Sequence, residues 1–271
     1  MSQVRGTSFG IDTSGRSFVV LDKSFLQGVN PTQLRYYADK GWIFGIPDVL
    51  WYEPFHKRDD KRTANVLKLR SIGSSLRVIP RIGQMFQAEV EHLEPASRRL
   101  RVKYVQFNKN LESESAFDSS LETAKSDTRK WEKKLPQMVE IWRDFKKIPT
   151  LRDAKPAEIK DRVEQLKILV RDDHDDMRGF YRNHKPHSYP DAELLDEEWA
   201  LYRWTQANLL AGLDYFVSYG PKNEANREKL MHELLDVEYL ICAVLVGGLA
   251  SRDDRIVERF RLLRPDGVLL R

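Results

Sequence analysis

Strand signals stand at the two ends of this chain and are missing from its middle, and that distribution restricts the fold more than any other feature. Phe18-Val-Val-Leu21 is a short, wholly apolar run of the kind that fully buried strands carry. The next segment is punctuated as a helix: Asn30 can cap it, Pro31 suits its first position, Gln33 completes a capping box and Gly41 ends it. Trp42-Ile-Phe-Gly-Ile46 reads as a second strand, and Asp48 can cap a helix carrying Val49, Leu50, Trp51, Tyr52 and Glu53. A strand, helix, strand, helix start predicts an α/β fold, a parallel sheet with helices on its faces.

The middle differs in character. From about Glu112 to Lys222 the chain is rich in charge and in helix formers, with apolar residues at helical spacing in Trp131, Leu135, Val139, Trp142 and Phe145, and again in Ile159, Val163, Leu166 and Val170. Strands return only in Leu249-Ala250 and in Val268-Leu-Leu270, after the turn Arg264-Pro-Asp-Gly267. The expected organisation is a sheet domain in two parts, residues 1–110 and 223–271, interrupted by a large central α-helical insertion over 111–222. In the last part a Leu235, Tyr239, Cys242, Val246 stripe marks one helix, and Ser251 is expected to cap the next, with Asp254 at its third position.

With 271 residues and 41% hydrophobic content the chain can bury a sizeable core. It contains no apolar run of the roughly 18 residues that a membrane-spanning helix needs, and Met1-Ser-Gln-Val-Arg5 opens without a signal-peptide core, so a cytoplasmic protein with no membrane partner is expected. The single Cys242 excludes an intrachain disulfide framework and a zinc-thiolate site, and its apolar setting reads as core. A net charge of +4 permits a polyanionic partner without requiring one. Local excess says more: between Ser97 and Asn110 five cations, Arg99, Arg101 and Lys103 among them, interleave with aromatic residues, a mixture suited to phosphates and stacked bases and equally to a solvated basic face.

Four acidic residues lie beside the apolar runs: Asp22 after the first strand, Glu53 on the helix after the second, Asp236 ahead of Tyr239-Leu-Ile-Cys-Ala243, and Asp253 after Leu249-Ala-Ser-Arg252. Open α/β sheets bind ligands at the carboxyl ends of their strands, and carboxylates gathered there repel one another unless a cation lies between them. Oxygen donors without His or Cys suit Mg²⁺ or Mn²⁺ and, through them, phosphodiester chemistry. Removing one such charge, as in Asp22→Ala, is expected to leave folding intact or improve it.

These residues resemble the PIN-like nucleases. The likeness lies in Val19-Val-Leu-Asp22-Lys-Ser24, Asp48-Val-Leu-Trp-Tyr-Glu53, Asp236-Val-Glu-Tyr-Leu-Ile-Cys-Ala243 and Leu249-Ala-Ser251-Arg-Asp253, and covers roughly residues 17–75 and 225–271. It implies a PIN-like sheet and a metal-dependent endoribonuclease in which Asp22, Glu53, Asp236 and Asp253 hold the metal while Ser24 and Ser251 orient them. RNA is then expected ahead of DNA as substrate, the resemblance implies a homodimer, and the helical insertion offers a surface for a partner protein. Glu238 points about 200° from Asp236 around a helix and reads as a solvated carboxylate. The long insertion departs from small PIN domains.

Two further readings accompany this one: a PIN-like fold serving as a non-catalytic assembly module, and a DNA-cleaving nuclease. A haloacid-dehalogenase nucleophile at Asp22 would need a second Asp where Ser24 stands, and the Asp172–Asp176 cluster with His174, His184 and His187 reads as a charged helix end. His232-Glu233 lacks the second His of a zinc-protease helix, and no Walker, Rossmann or nucleophile-elbow motif occurs.

Overall fold

A computed structural model describes residues 17–52, 60–104, 126, 133, 139, 141–142, 144–219 and 227–271. Those residues form a six-stranded sheet in the order β4-β3-β2-β1-β5-β6, with β1 Phe18–Leu21, β2 Ile43–Ile46, β3 Leu76–Val78, β4 Lys103–Tyr104, β5 Gly248–Ala250 and β6 Val268–Leu270. Every pairing is parallel except that of β4, which closes one edge antiparallel to β3. The fold is α/β, a parallel sheet flanked by helices.

The first half of the sheet follows local signals. β1 is buried on both faces, so its side chains read as an unbroken apolar run. Helix α1 Lys23–Gly28 starts directly after it. Helix α2 Pro31–Asp39 is capped by Asn30, whose side chain accepts from the Gln33 N–H at 2.7 Å; the Gln33 amide donates to the Tyr37 hydroxyl, so the reciprocal half of the expected capping box is not made. Helix α3 Asp48–Tyr52 follows β2, and α4 Asp60–Arg70 packs on α1 and α2. Strands β3 and β4 have no counterpart in the sequence expectation. β3 carries the buried Arg77, which breaks the apolar run and is accommodated because its guanidinium donates to the Ser74 and Leu76 carbonyls.

Between the sheet halves lie α5 Ile82–His92, α6 Ala96–Arg99, α7 Pro149–Arg152, α8 Ile159–Asp172, α9 His174–His184 and α10 Ala200–Tyr219, followed by α11 Arg227–Val246 and α12 Asp254–Leu263. The apolar stripe read over 159–170 places Val163 and Val170 in the core, as do Trp142 and Phe145 of the preceding stripe; Trp131 and Leu135 lie outside the described residues. Helix α10 packs against α11, α8 and α5, and α11 lies on β1. One continuous apolar core therefore joins the sheet to the central helices.

Glu89 on α5 ties this arrangement together. It is wholly buried, its Oε1 accepting the N–H groups of Ala96 at 3.1 Å and Ala200 at 2.7 Å, and its Oε2 that of Leu201 at 3.0 Å. Ala200 and Leu201 open the twenty-residue α10, so a carboxylate over one hundred residues away satisfies donors that the helix leaves unpaired. Burial nonetheless outweighs these bonds and raises the Glu89 pKa from 4.5 to about 7. A carboxyl raised in the folded state binds its proton more tightly there than when unfolded, so stability should fall as pH rises from 4.5 to about 7 and then level off. Urea unfolding across that range is expected to show the slope, and Glu89→Gln to flatten it while costing about 1–2 kcal/mol, because its amide nitrogen would face the Leu201 N–H.

Candidate functional site

The carboxyl ends of β1 and β5 lie side by side, since Val20 pairs with Leu249 and Leu21 with Ala250. Asp22 leaves β1 with only 4% of its surface exposed and caps α1. Its Oδ2 accepts from the Ser24 hydroxyl, from the Ser24 N–H at 3.3 Å and from the Ser251 hydroxyl at 2.7 Å. Ser251 leaves β5 fully buried. Each serine oxygen also accepts a backbone N–H from the opposite strand end or its own turn: Ser24 Oγ from Arg252 at 2.9 Å, and Ser251 Oγ from Asp253 at 3.0 Å. The two serines expected to orient the acids thus bridge the two strand ends, 3.2 Å from each other.

Asp253 stands on the same turn. It, rather than Ser251, is the N-cap of α12, its Oδ1 accepting the Arg255 N–H at 2.9 Å, and Asp254 is the first helical residue, paired with Arg271. Ser251 lies two residues ahead of the cap, its hydroxyl donating to Asp22 and its oxygen accepting the Asp253 N–H, so it holds the turn on which Asp253 caps the helix. The structural explanation given to Asp254 therefore belongs to Asp253 as well.

Helix α11 runs back toward the sheet and turns into β5 through Gly247. Rising about 1.5 Å per residue against about 3.3 Å in the strand, it reaches the level of the β5 carboxyl end roughly six to seven residues before its own end, near Tyr239 and Leu240, and Asp236 and Glu238 stand within about one turn beyond that level. The two face different neighbours. Asp236 lies 3.9 Å from Arg255, which also pairs with Glu233 one turn earlier. Glu238 is half-buried, not the solvated carboxylate expected of it. It lies toward Cys242 and Asp48: burial pushes the Cys242 thiol well above its ordinary range, and the charges of Glu238 and Asp48 add to that shift. Asp48 stands just past the carboxyl end of β2, which places a further acid on this rim, with Arg81 3.8 Å away. Sequence reasoning assigns Asp48 only a capping role; its position two residues after a strand is the signal that could have placed it here.

Glu53 lies outside the described residues. Among the described residues no group of three or more His, Cys, Asp or Glu stands close enough together to hold a metal ion. Asp22, Ser24 and Ser251 converge, with Asp253 on the adjoining turn and its carboxylate on the Arg255 N–H; these four offer oxygen alone, the donor type that suits a hard divalent cation. The basic stretch sits elsewhere, at the β4 edge of the sheet. There Arg99 pairs with Glu94, Arg101 donates to the carbonyls of Ser97, Arg98 and Leu100, and Lys103 belongs to the edge strand. In the central helices His184 bonds to the Phe180 carbonyl and Asp173 caps α9. Among the described residues no helix is long and apolar enough to cross a membrane.

No family model matches this chain, and no curated protein or solved structure matches it. The PIN-like likeness rests on the sequence motifs.

Because Asp22 serves as a cap and accepts two hydroxyls, its removal has a structural cost beside any relief of repulsion. Asp22→Ala strands the Ser251 hydroxyl in a fully buried position and is expected to destabilise the protein by about 1–3 kcal/mol in urea unfolding, whereas Asp22→Asn, which keeps an acceptor oxygen, should cost less.

Proposed function

We propose that this protein is a divalent-metal-dependent nuclease of PIN-like type that hydrolyses phosphodiester bonds, with RNA the preferred substrate. The observation that carries the reading is the junction of β1 and β5, where Asp22 leaves one strand, the turn from Ser251 to Asp253 leaves the adjacent parallel one, and Ser24 and Ser251 tie the backbone of that turn to the Asp22 carboxylate. Ligand sites of open parallel sheets form at such carboxyl ends. The resemblance adds Glu53 and Asp236 to the set, and the level of α11 along the sheet is compatible with Asp236 or Glu238 as its contribution.

In this reading Asp22, Asp253, Glu53 and Asp236 would hold Mg²⁺ or Mn²⁺, and when bound the ion would supply an activated water and offset charge on the phosphate. The chain's own part is positional. The two serine hydroxyls fix the Asp22 carboxylate through Oδ2, and their backbone bonds hold the turn from Ser251 to Asp253 against α1. Burial of Asp22 and Ser251 keeps bulk water away from that side of the rim.

A second reading, an assembly module without turnover, is favoured by one observation: Arg255 already lies between Glu233 and Asp236 and supplies the positive charge that a metal would otherwise provide there.

Incubation of the protein with labelled single-stranded RNA and DNA in Mn²⁺, Mg²⁺ or EDTA separates the readings. Metal-dependent cutting is expected, RNA ahead of DNA, with a loss of about 10²–10³-fold in Asp22→Asn. Cutting that survives EDTA or Asp22→Asn overturns the assignment. Absence of cutting together with no Mn²⁺-induced rise in Tm leaves the assembly module.

A further inference from the structure

The rim that carries Asp22 and Asp253 also carries two cations placed against each other. Lys68, from α4, donates through Nζ to the carbonyls of Leu26 at 2.8 Å and Gln27 at 3.1 Å, at the carbonyl end of α1. Arg252, between Ser251 and Asp253, lies with its guanidinium 6.0 Å from the centre of the Phe25 ring and against Gly28 at the end of the same helix. A Cβ on Gly28 would come within 2.5 Å of Arg252 Nη1, so glycine makes the space in which this guanidinium rests. Among the described residues neither cation meets a carboxylate.

Two like charges held together cost free energy. Burial, and after it the Arg252 charge, holds the Lys68 ammonium below its ordinary value. Two arginines that follow, on α12 and just after β6, are matched, Arg255 with Glu233 and Arg271 with Asp254. A pair that no described carboxylate neutralises, beside the candidate reacting centre, is what a bound polyanion would complete, with a planar guanidinium for two phosphate oxygens and an ammonium as a point charge.

We infer that Lys68 and Arg252, seated on either side of the end of α1, clamp a backbone phosphate of a single-stranded nucleic acid next to Asp22 and Asp253. The inference deepens the nuclease reading and rests on it for the choice of polyanion. Phe25 gives the guanidinium a flat support and leaves its outer face to solvent, since Arg252 is exposed. Lys68, half-buried and anchored by two carbonyls, keeps one N–H for the ligand.

The test measures binding alone, by fluorescence anisotropy of a labelled single-stranded RNA and the matching DNA. Full-length Asp22→Asn protein in Mg²⁺ is the parent, so that no substrate is consumed. Arg252→Met and Lys68→Met keep their apolar stems and lose their charges; Gly28→Ala keeps both charges and displaces the guanidinium. Lys40→Met, an exposed cation at the amino end of the sheet just before β2, is the control. Thermal melts confirm folding of each variant, and Lys68→Gln, which also removes the charge but keeps donors for the Leu26 and Gln27 carbonyls, serves if Lys68→Met does not fold.

Arg252→Met and Lys68→Met are expected to bind about fivefold more weakly, with the slope of log affinity against log salt reduced by about 0.7 for each cation removed from the phosphate. Gly28→Ala should weaken binding with the charge unchanged, and Lys40→Met should match the parent. The clamp is refuted if the parent does not bind nucleic acid, if Arg252→Met and Lys68→Met bind as the parent does, or if Lys40→Met weakens binding as much. Weaker binding to phosphatidylserine vesicles without weaker binding to RNA or DNA would assign the pair to a membrane and overturn the proposal. Intact binding effects in a protein whose wild type cuts nothing would keep the clamp and remove the nuclease reading, so the two fail separately.

Discussion

The pairing of β1 with β5 is the constraint on which the rest of the structure depends. It joins residues more than two hundred positions apart, and it is tight: a Cβ on Gly248 would fall 2.0 Å from the Phe18 carbonyl oxygen, so only glycine lets β5 start there. Asp22 donates its N–H to Ala250, Ser251 donates its N–H to Leu270, and the Ser251 hydroxyl closes onto Asp22. Loop-closure entropy opposes so distant a junction, and strand hydrogen bonds alone offset little of it. The compensation comes from α10 and α11, which pack on each other, with α11 laid along β1 before the chain enters β5. The central helices are therefore part of what makes the sheet possible.

Buried charge then sets the position of α12, and with it Asp253. Arg259, only 3% exposed, donates to Asp214 on α10 at 2.7 Å and to Glu233 on α11 at 2.8 Å, while Lys167 from α8 also pairs with Asp214. The two carboxylates hold the Arg259 guanidinium charged despite its burial. Removing one member of such a set leaves an uncompensated buried charge, so the set acts as a positional lock more than as a source of net stability. Arg203 differs in outcome: Glu197 and Gln206 meet its guanidinium, yet burial outweighs them and lowers its pKa. These locks lie on the helices that must agree in orientation if the turn from Ser251 to Asp253 is to meet Asp22.

What could be read from the sequence follows from where the information lies. β1, β2, β5 and β6 are short apolar runs bounded by turn residues, and Asn30 with Pro31 marks a helix start, so local pattern sufficed. β3 was hidden because Arg77 is buried inside it, and β4 because two residues make no pattern; both depend on a sheet edge built by other segments. At the rim, Asp22, Ser24, Ser251 and Asp253 were legible from their place after apolar runs. The exchange of capping roles between Ser251 and Asp253 was not, since the turn that puts Asp253 at the cap is held by contacts of Ser251 and Arg252 with Asp22 and Ser24, more than two hundred positions away. The sides taken by Asp236 and Glu238 were equally invisible: spacing shows that the two diverge, but only Arg255 on α12 and Cys242 facing Asp48 show which way each goes.

The electrostatics of the rim separate two kinds of residue. Asp48 has Arg81 nearby, Asp236 and Glu233 have Arg255, and Asp254 has Arg271, so these acids can be present in the folded chain without outside help. Exposed pairs of this sort contribute little stability, and their effect is to cancel repulsion locally. Asp22 is treated otherwise: buried, it is met by hydroxyl protons and a backbone N–H, dipoles that fix its direction. Lys68 and Arg252 reverse the pattern, two cations facing one another over the end of α1. Among the described residues the acids of this rim are neutralised in place, one buried carboxylate is oriented by dipoles and two adjacent cations meet no carboxylate, so positive charge stands beside that carboxylate. A phosphate, negative toward the cations and able to share a metal with the acid, satisfies both halves of that asymmetry at once.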